Sequence, residues 1–173
     1  MAILKILTEE EANDILRKTS KPVTEITPKI ETLLNDMKDT LIKAGGVGLA
    51  AVQVGILRRI YIIDAGVEED KHEIIEFINP EIIAAEGTQE DVEGCLSVPG
   101  KYGLTRRPAK VTVRAENRKG EKFEYTATGL LGRCLCHEYD HLDGILYTEH
   151  CKVMTDAELE QYIREHEKEL DEE

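Results

Sequence analysis

Apolar side chains recur at intervals of three and four residues between positions 28 and 45, which is the spacing of an amphipathic helix. The positions are Ile30, Leu33, Leu34, Met37, Leu41 and Ile42. Thr27 is a suitable N-cap, the proline after it fits a first helical turn, and two glycines at 45 and 46 end the pattern. The sequence therefore predicts a long helix near the N-terminus.

Three further helices are predicted from their end signals. A capping box at residues 8–11 precedes a short helix that ends near Lys18. A helix over about residues 130–142 is followed by Gly144, a typical C-terminal stop. A second capping box at residues 155–158 begins a C-terminal helix.

Strands are predicted where Ile, Val and Tyr concentrate between turn residues. Residues 59–64 and 73–79 are such runs, and both end in Asp or Asn. Residues 111–115 and 122–126 alternate in polarity on either side of NRKG at 117–120, a pattern typical of a hairpin. These helices together with mostly antiparallel strands indicate an α+β fold.

In this fold we expect the strands to pack around the helix at 130–142, flanked by the long N-terminal helix and the C-terminal helix. The chain has 173 residues and contains no repeat, low-complexity tract or Pro/Gly-rich linker. A single catalytic domain over residues 1–173 is therefore predicted, in which residues 155–173 form an acidic C-terminal helix.

The formal net charge of −13 makes a dedicated nucleic-acid binder improbable, because such a total repels phosphate. The charge is uneven: residues 156–173 carry nine acidic and two basic residues, whereas 101–122 carry eight basic and two acidic residues. We interpret the basic stretch as the solvated side of two strands, with an anion-contacting surface as the alternative.

The N-terminus lacks the features of a signal peptide and the apolar runs are short, so a cytoplasmic protein without membrane association is expected. Four cysteines are present, at positions 95, 134, 136 and 151. In a chain of this size without a secretion signal, we expect free thiols rather than disulfides.

The sequence HEYDH at residues 137–141 falls inside the helix predicted at 130–142. His137 and His141 are one helical turn apart, so both imidazoles project from one face and can bind one metal ion. Glu138 lies beside them, within reach of a proton on a nearby water. We favour a metal-dependent hydrolase; two surface histidines on an acidic helix are the simpler alternative.

Two histidines leave such a site incomplete, because catalytic zinc-type centres use three protein ligands and one open position. A zinc-peptidase pattern would need a third histidine where the chain has Tyr147. Glutamates from Glu158 onward lie on the acidic helix, and His150 lies outside any predicted element. Cys134 starts about 10 Å along the axis from His141, at about 1.5 Å per residue, so we interpret it as pocket lining.

Cys95 is the remaining candidate for the third ligand. It lies in EGCLSVPG at residues 93–100, where glycine and proline favour a tight turn that presents a thiolate. One cysteine and two histidines form a chemically reasonable catalytic metal site. Considered alone, Cys95 could equally be a small apolar residue buried in the core, as free cysteines usually are.

Three segments resemble, in order and in spacing, the three motifs of bacterial-type peptide deformylases. They are GVGLAAVQ at residues 46–53, EGCLS at 93–97 and HEYDH at 137–141. With matches at 16–17, 22–23 and 79–80, the resemblance covers roughly residues 3 to 150. Val52 stands where proline is common and Cys136 where glutamine is frequent, and neither departure removes a functional group.

This resemblance implies hydrolysis of the N-formyl group on the first methionine of a new peptide, with release of formate. It assigns Cys95, His137 and His141 as ligands of one divalent metal ion, with Fe²⁺ as the native ion and Ni²⁺, Co²⁺ or Zn²⁺ as possible substitutes. Such an ion lowers the pKa of its water, and Glu138 carries the proton from the water to the departing nitrogen.

The resemblance also assigns the Gln53 amide and the backbone N–H of Leu96 to the developing charge on the formyl oxygen. The methionine side chain requires an apolar slot, and a glycine there lets the peptide backbone approach closely. The candidates for substrate contact are Val47, Gly48, Leu130 and Cys134.

Two nearby acidic residues have open roles. Glu93 either pairs with Arg107 to brace EGCLS or is an ordinary surface glutamate. Asp140 either orients a histidine or has a solvated or capping role.

The expected partners are an N-formyl-methionyl peptide and, transiently, the ribosome. The acidic tail after Thr155 argues against docking through a basic C-terminal helix, a mode proposed for some family members. Two rival functions are a metallopeptidase that cuts internal bonds and a non-catalytic protein with a structural Cys/His site. The first lacks a recognisable third ligand of its own, and the second needs a fourth.

Overall fold

The computed structural model describes residues 2–171 and has the predicted α+β architecture. Its helices are α1 (Glu9–Leu16), α2 (Pro28–Ala44), α3 (Gly129–Leu142) and α4 (Asp156–Asp171). Its strands are β1 (Gly48–Ala50), β2 (Ile60–Asp64), β3 (Ile74–Glu86), β4 (Gln89–Cys95), β5 (Val98–Arg107), β6 (Lys110–Glu116) and β7 (Lys122–Thr128). Residues 172 and 173 of the predicted C-terminal helix lie outside the described residues.

The ends of α2 are fixed by the residues that the sequence pattern singled out. The Thr27 hydroxyl accepts a hydrogen bond from the backbone N–H of Ile30, as an N-cap does. Gly45 follows the helix with φ of +71°, a left-handed conformation that glycine adopts without steric cost. Local chemistry therefore determines where this helix begins and ends.

Five strands form one antiparallel sheet in the order β1-β2-β3-β6-β7, and α3 packs against one face of it. Alternate residues of β2 point to opposite faces, as in any strand. Tyr61 and Ile63 join the core beneath α3, whereas Ile60 and Ile62 join the core that contains α2. Because both faces are covered, the continuous apolar run of β2 is buried throughout.

The other two strands, β4 and β5, form a separate two-stranded sheet, and an isolated bridge joins Gly103 of β5 to Val153. A tight turn at Leu96 and Ser97 joins them, with Cys95 paired to Val98 across it. Neither strand was predicted, because their residues are mostly polar or small and do not alternate cleanly. This strand pair nevertheless carries the EGCLS segment.

Strand β3 is longer than the predicted run at 73–79. Asn79 has φ of +50°, and the pairing with β6 shifts register there, so the Asn-Pro pair forms a bulge rather than a strand end. The Asn79 side chain accepts from the backbone N–H of Val23 and donates to its carbonyl, both at 2.8 Å. The residue therefore tethers the segment before α2 to the sheet.

The basic stretch at 101–122 is only partly the solvated strand surface that we expected. Arg107, at the end of β5, is buried with 7% of its surface exposed. Within the part of the chain that the structure describes, no helix combines the length and hydropathy needed to cross a bilayer.

Candidate metal centre and catalytic pocket

One cysteine and two histidines from separate elements converge on a single point. His137 and His141 project from the same face of α3, and Cys95 ends β4. Their Sγ and ring nitrogen atoms all lie within 4.8 Å of one another. The Sγ of Cys95 is 3.3 Å from Nε2 of His141, which is 3.2 Å from Nε2 of His137.

These separations fit a shared metal ion. Metal–nitrogen bonds of about 2.0–2.1 Å in a tetrahedral site place neighbouring ligand nitrogens about 3.3 Å apart, and the longer bonds to sulfur lengthen that separation slightly. The donor set of one thiolate and two imidazoles suits several divalent transition metals. The other candidates weighed from the sequence, Cys134, His150 and Glu158, are not part of this cluster.

Glu93 orients His137, one of the candidate ligands, on the side of the ring away from the cluster. Its Oε2 lies 2.7 Å from Nδ1 of His137, which leaves Nε2 of that ring facing the other two ligand atoms. Arg107 donates to both Glu93 oxygens, from Nη2 at 2.6 Å and from Nε at 3.1 Å. Burial opposes ionisation of Glu93, but the hydrogen bonds from His137 and Arg107 outweigh it and hold the pKa well below its ordinary value.

Asp140 acts on this network through Arg107 rather than through a histidine ligand. Its Oδ2 accepts from Nη1 of Arg107 at 2.7 Å and lies 3.3 Å from Nε2 of His150. His150, which the sequence left without an element, is therefore an exposed neighbour of this carboxylate. Glu93 is the buried partner of Arg107 and not an ordinary surface glutamate.

Glu138 is buried beside the ligand cluster, with Oε1 at 4.0 Å from Nε2 of His137. Its Oε2 has no hydrogen-bond partner among the described residues. Burial raises the pKa of this carboxyl to about 7, against the opposing effect of His137. A desolvated carboxylate with a free oxygen is suited to accept a proton from a bound molecule.

Gln53 follows β1 on a short 3-10 turn at Ala51–Val54, and its side chain is held at both ends. Oε1 accepts from the backbone N–H of Ala50 at 2.9 Å, and Nε2 donates to Oγ of Ser97 at 3.1 Å. The same nitrogen lies 3.6 Å from Sγ of Cys95. The amide is therefore fixed next to the candidate ligand, beside the turn that contains Leu96.

A pocket of about 540 Å³ opens onto this cluster. Its lining includes all four residues named as substrate contacts, Val47, Gly48, Leu130 and Cys134, together with Gln53, Leu96, Cys95, His137 and Glu138. A Cβ at position 48 would lie 2.7 Å from Sγ of Cys134 and 2.8 Å from Oε1 of Glu138. Glycine at that position therefore keeps space free beside the carboxylate.

Sequence reasoning missed Arg133, which also lines the pocket. It precedes His137 and His141 at intervals of four residues, so its place on their face of the helix was readable from the sequence. An arginine on a predicted helix is ordinarily a solvated residue, and this one is 4% exposed. Its partners lie on β4 and β5, two strands that the sequence did not predict.

A thiolate and two imidazoles around one point, with a buried carboxylate facing a cleft, define the site of a metal-dependent hydrolase. The chain belongs to the polypeptide deformylase family, whose model matches residues 3–157. It is 55% identical over 137 residues to a peptide deformylase of Lachnoclostridium phytofermentans, covering 79% of this chain and 83% of that protein. It is 49% identical to one of Caldicellulosiruptor bescii over 162 residues, covering 93% of both chains.

The fold agrees with this family. The crystal structure of a peptide deformylase from Legionella pneumophila superposes with a TM-score of 0.81 at 42% identity, covering 95% of this chain and 98% of that chain. The chain is therefore an enzyme that removes the formyl group from the N-terminal methionine of peptides, and neither rival function is needed.

Proposed function

We propose that Cys95, His137 and His141 hold one divalent ion, natively Fe²⁺, at which the formyl group of a nascent peptide is hydrolysed. The observation that carries the proposal is the convergence of these three ligands beside the unpaired Oε2 of Glu138. The mixed donor set is compatible with Fe²⁺, and the family resemblance favours it. The ion supplies Lewis acidity to water and to the formyl carbonyl.

Glu138 is the proton carrier in this mechanism. Its carboxylate accepts a proton from the water that attacks the formyl carbon and then delivers it to the departing amide nitrogen. Its burial and its unpaired oxygen support this role, because a desolvated carboxylate is a stronger base than one in water. The reaction therefore converts the formyl peptide and one water molecule into formate and a free amine.

Gln53 and Leu96 stabilise the charge that develops on the formyl oxygen. The Gln53 amide is held in place through Ala50 and Ser97, so its position requires no reorganisation during the reaction. The backbone N–H of Leu96 belongs to the tight turn between β4 and β5, next to Cys95. Both residues line the pocket that contains Glu138.

The methionine side chain of the substrate occupies the pocket region lined by Val47, Leu130 and Cys134, and Gly48 admits its backbone. Cys134 supports an apolar environment there, because its thiol is buried and burial raises its pKa well above the ordinary value. We further propose that the enzyme works in the cytoplasm on chains leaving the ribosome. Any contact with the ribosome would use a surface other than α4, because this acidic helix repels RNA.

The decisive experiment replaces Glu138 with glutamine, which keeps the shape of the side chain and removes its basicity. Formate release from formyl-Met-Ala-Ser should fall by about 10²–10⁴-fold, the usual contribution of a positioned acid–base group, while metal content stays at one ion per chain. The matched control is Glu124→Gln, an exposed glutamate of β7 whose loss should leave the rate unchanged. Full activity in the Glu138 variant would refute the mechanism.

The identity of the ion is tested separately. Protein purified without oxygen and analysed for metals should contain iron close to one equivalent, and Cys95→Ser should lose it. Stoichiometric zinc in active, anaerobically prepared enzyme would contradict Fe²⁺ and leave the assignment of ligands intact.

A further inference from the structure

The three proposed ligands lie on two elements that share no backbone hydrogen bonds. Cys95 belongs to the β4–β5 pair, and both histidines belong to α3. Outside their own pairing, the described backbone contacts of β5 go to Val153 and Met154 rather than to α3, so side-chain contacts hold the strand pair against the helix. Ligand geometry therefore depends on what fastens the strand pair to the helix.

Apolar packing fastens the strand pair near its turn. Val98, Leu146 and Tyr147 are buried there, and Cys95 packs against them. Tyr147 also donates from its hydroxyl to the carbonyl of Lys101 at 2.9 Å. This cluster is small, and the ion pair between Arg107 of β5 and Asp140 of α3 adds a polar contact to it.

Arg133 of α3 supplies that contact farther from the turn. Its Nη2 is 2.9 Å from the carbonyl of Asp91 on β4 and 2.5 Å from Oγ1 of Thr105 on β5. Nη1 lies 3.4 Å from the carbonyl of Thr105. One side chain of the helix thus donates to both strands of the pair.

The same guanidinium reaches the group that orients a proposed ligand. Nη2 of Arg133 lies 3.2 Å from Oε1 of Glu93, which also accepts from Oγ1 of Thr105 at 2.9 Å. Arg133 is 4% exposed, so these contacts form away from solvent, where charge-assisted hydrogen bonds are strong. Two guanidinium groups, of Arg133 and Arg107, hold the Glu93 carboxylate between them.

We propose that Arg133 is a positioning residue that fastens β4–β5 to α3 and holds the three ligand atoms at binding separation before an ion enters. This inference rests on the ligand set of the proposed function. A residue that only stabilises the fold would weaken metal binding no more than its loss of stability explains. A positioning residue weakens metal binding more than that. The hydrogen bonds of Arg133 go to Asp91, Glu93 and Thr105, none of which is a proposed ligand.

The test measures Co²⁺ affinity of the full chain, freed of metal under reducing conditions, by competition with a chelator. Arg133→Met should raise the dissociation constant about 10–100-fold, the usual cost of losing a partner that orients a ligand. The rate of hydrogen exchange in the metal-free variant should also rise at residues 89–95, while exchange in the five-stranded sheet stays unchanged. Arg106→Met is the matched control, since Arg106 lies on β5 but is exposed and paired only with Glu90.

A second control separates positioning from stability. Leu34→Ala removes buried apolar contact in the core around α2, away from the ligands. It should lower the melting temperature and leave Co²⁺ affinity unchanged, provided that both proteins are titrated well below their melting temperatures. If Leu34→Ala weakens Co²⁺ binding as much as Arg133→Met does, or if Arg133→Met binds like Arg106→Met, the proposal is overturned.

Thr105→Val keeps the inference testable if the Arg133 variant does not fold. Valine is similar in shape and removes only the hydroxyl that links Arg133 to Glu93, so affinity should fall in the same direction by a smaller factor. Unchanged affinity would count against the proposal. Cys95→Ser in the same titration tests the ligand set: tight Co²⁺ binding there refutes the proposed function, whatever Arg133 does.

Discussion

The two halves of the proposed metal site are held in place by different forces. Helix α3 packs on the five-stranded sheet through buried apolar side chains, with Leu135 and Leu142 fully enclosed. The β4–β5 pair is joined to α3 mainly by charged and polar groups, of which Glu93, Arg107 and Arg133 are buried. The two histidines therefore belong to an element held by apolar burial. The strand pair that carries the cysteine contacts α3 through buried ion pairs, with only a small apolar cluster near its turn.

The difference matters because apolar and ionic contacts respond differently to change. A packed core loses stability in proportion to the volume removed, and its neighbours relax only partly. A buried ionic cluster is nearly neutral when intact, but removing one member leaves the others charged and desolvated. Each half of the site therefore has a characteristic weakness.

The largest effect is expected from Glu93→Gln, which removes the anion between two buried guanidinium groups. The free energy of unfolding of the metal-free protein should fall by about 3–5 kcal/mol, as when one partner of a buried ion pair is lost. Denaturant unfolding measures it. Glu90→Gln on the same strand is the control, and its exposed pair with Arg106 should cost under about 1 kcal/mol. Equal effects of the two substitutions would remove the distinction between the halves.

Leu135→Ala tests the apolar half. Leu135 is fully buried between α3 and the sheet, so the truncation should cost about 2–5 kcal/mol in unfolding free energy through lost burial and a residual cavity. Calorimetry and denaturant titration at one pH give the value. A cost below about 1 kcal/mol would show that α3 is not anchored by this contact.

A smaller effect of opposite sign is expected from Tyr61→Phe. The Tyr61 hydroxyl is buried in the core beneath α3 and has no hydrogen-bond partner among the described residues. Removing an unsatisfied buried polar group should stabilise the protein by about 1 kcal/mol. If urea titration instead shows a lower unfolding free energy for the variant, the Tyr61 hydroxyl makes a stabilising hydrogen bond.

The smallest effect concerns a polar anchor within the apolar half. Asp64, at the end of β2, is buried, which opposes its ionisation, but hydrogen bonds from His72 and from the backbone of Glu73 and Gly66 lower its pKa. Its contribution to stability is present above the ordinary pKa of the carboxyl and is lost as pH falls through the lowered pKa of the folded state. The stability difference between wild type and Asp64→Asn should therefore shrink on acidification, and a constant difference would contradict this account.

The apolar half of the site was largely predictable from the sequence, because its signals are local. The helical spacing of α2, the His-x-x-x-His interval and the stop at Gly144 depend on residues close in the chain. The order of the sheet was not predictable, since the pairing of β3 with β6 joins distant segments. Cys95 was reached by asking what the two histidines lacked.

The ionic half was mostly unpredictable for a physical reason. The pair of Glu93 with Arg107 was one of two alternatives open from the sequence, whereas Arg133 resembles a solvated residue there and only the folded arrangement brings it to Glu93. The strands β4 and β5 have no clean apolar alternation, because polar contacts rather than a hydrophobic face fix them. Where ion pairs replace hydrophobic burial, binary patterning carries little information.

The separation of 46 positions between Cys95 and His141 has a consequence for synthesis of the chain itself. The intervening segment includes β5, β6, β7 and nearly all of α3, so the cysteine leaves the ribosome before the two histidines proposed as its fellow ligands. A growing chain that ends before residue 141 carries the thiol without the complete set of donors. Metal binding by the proposed ligand set therefore requires that β5, β6, β7 and α3 have already been synthesised.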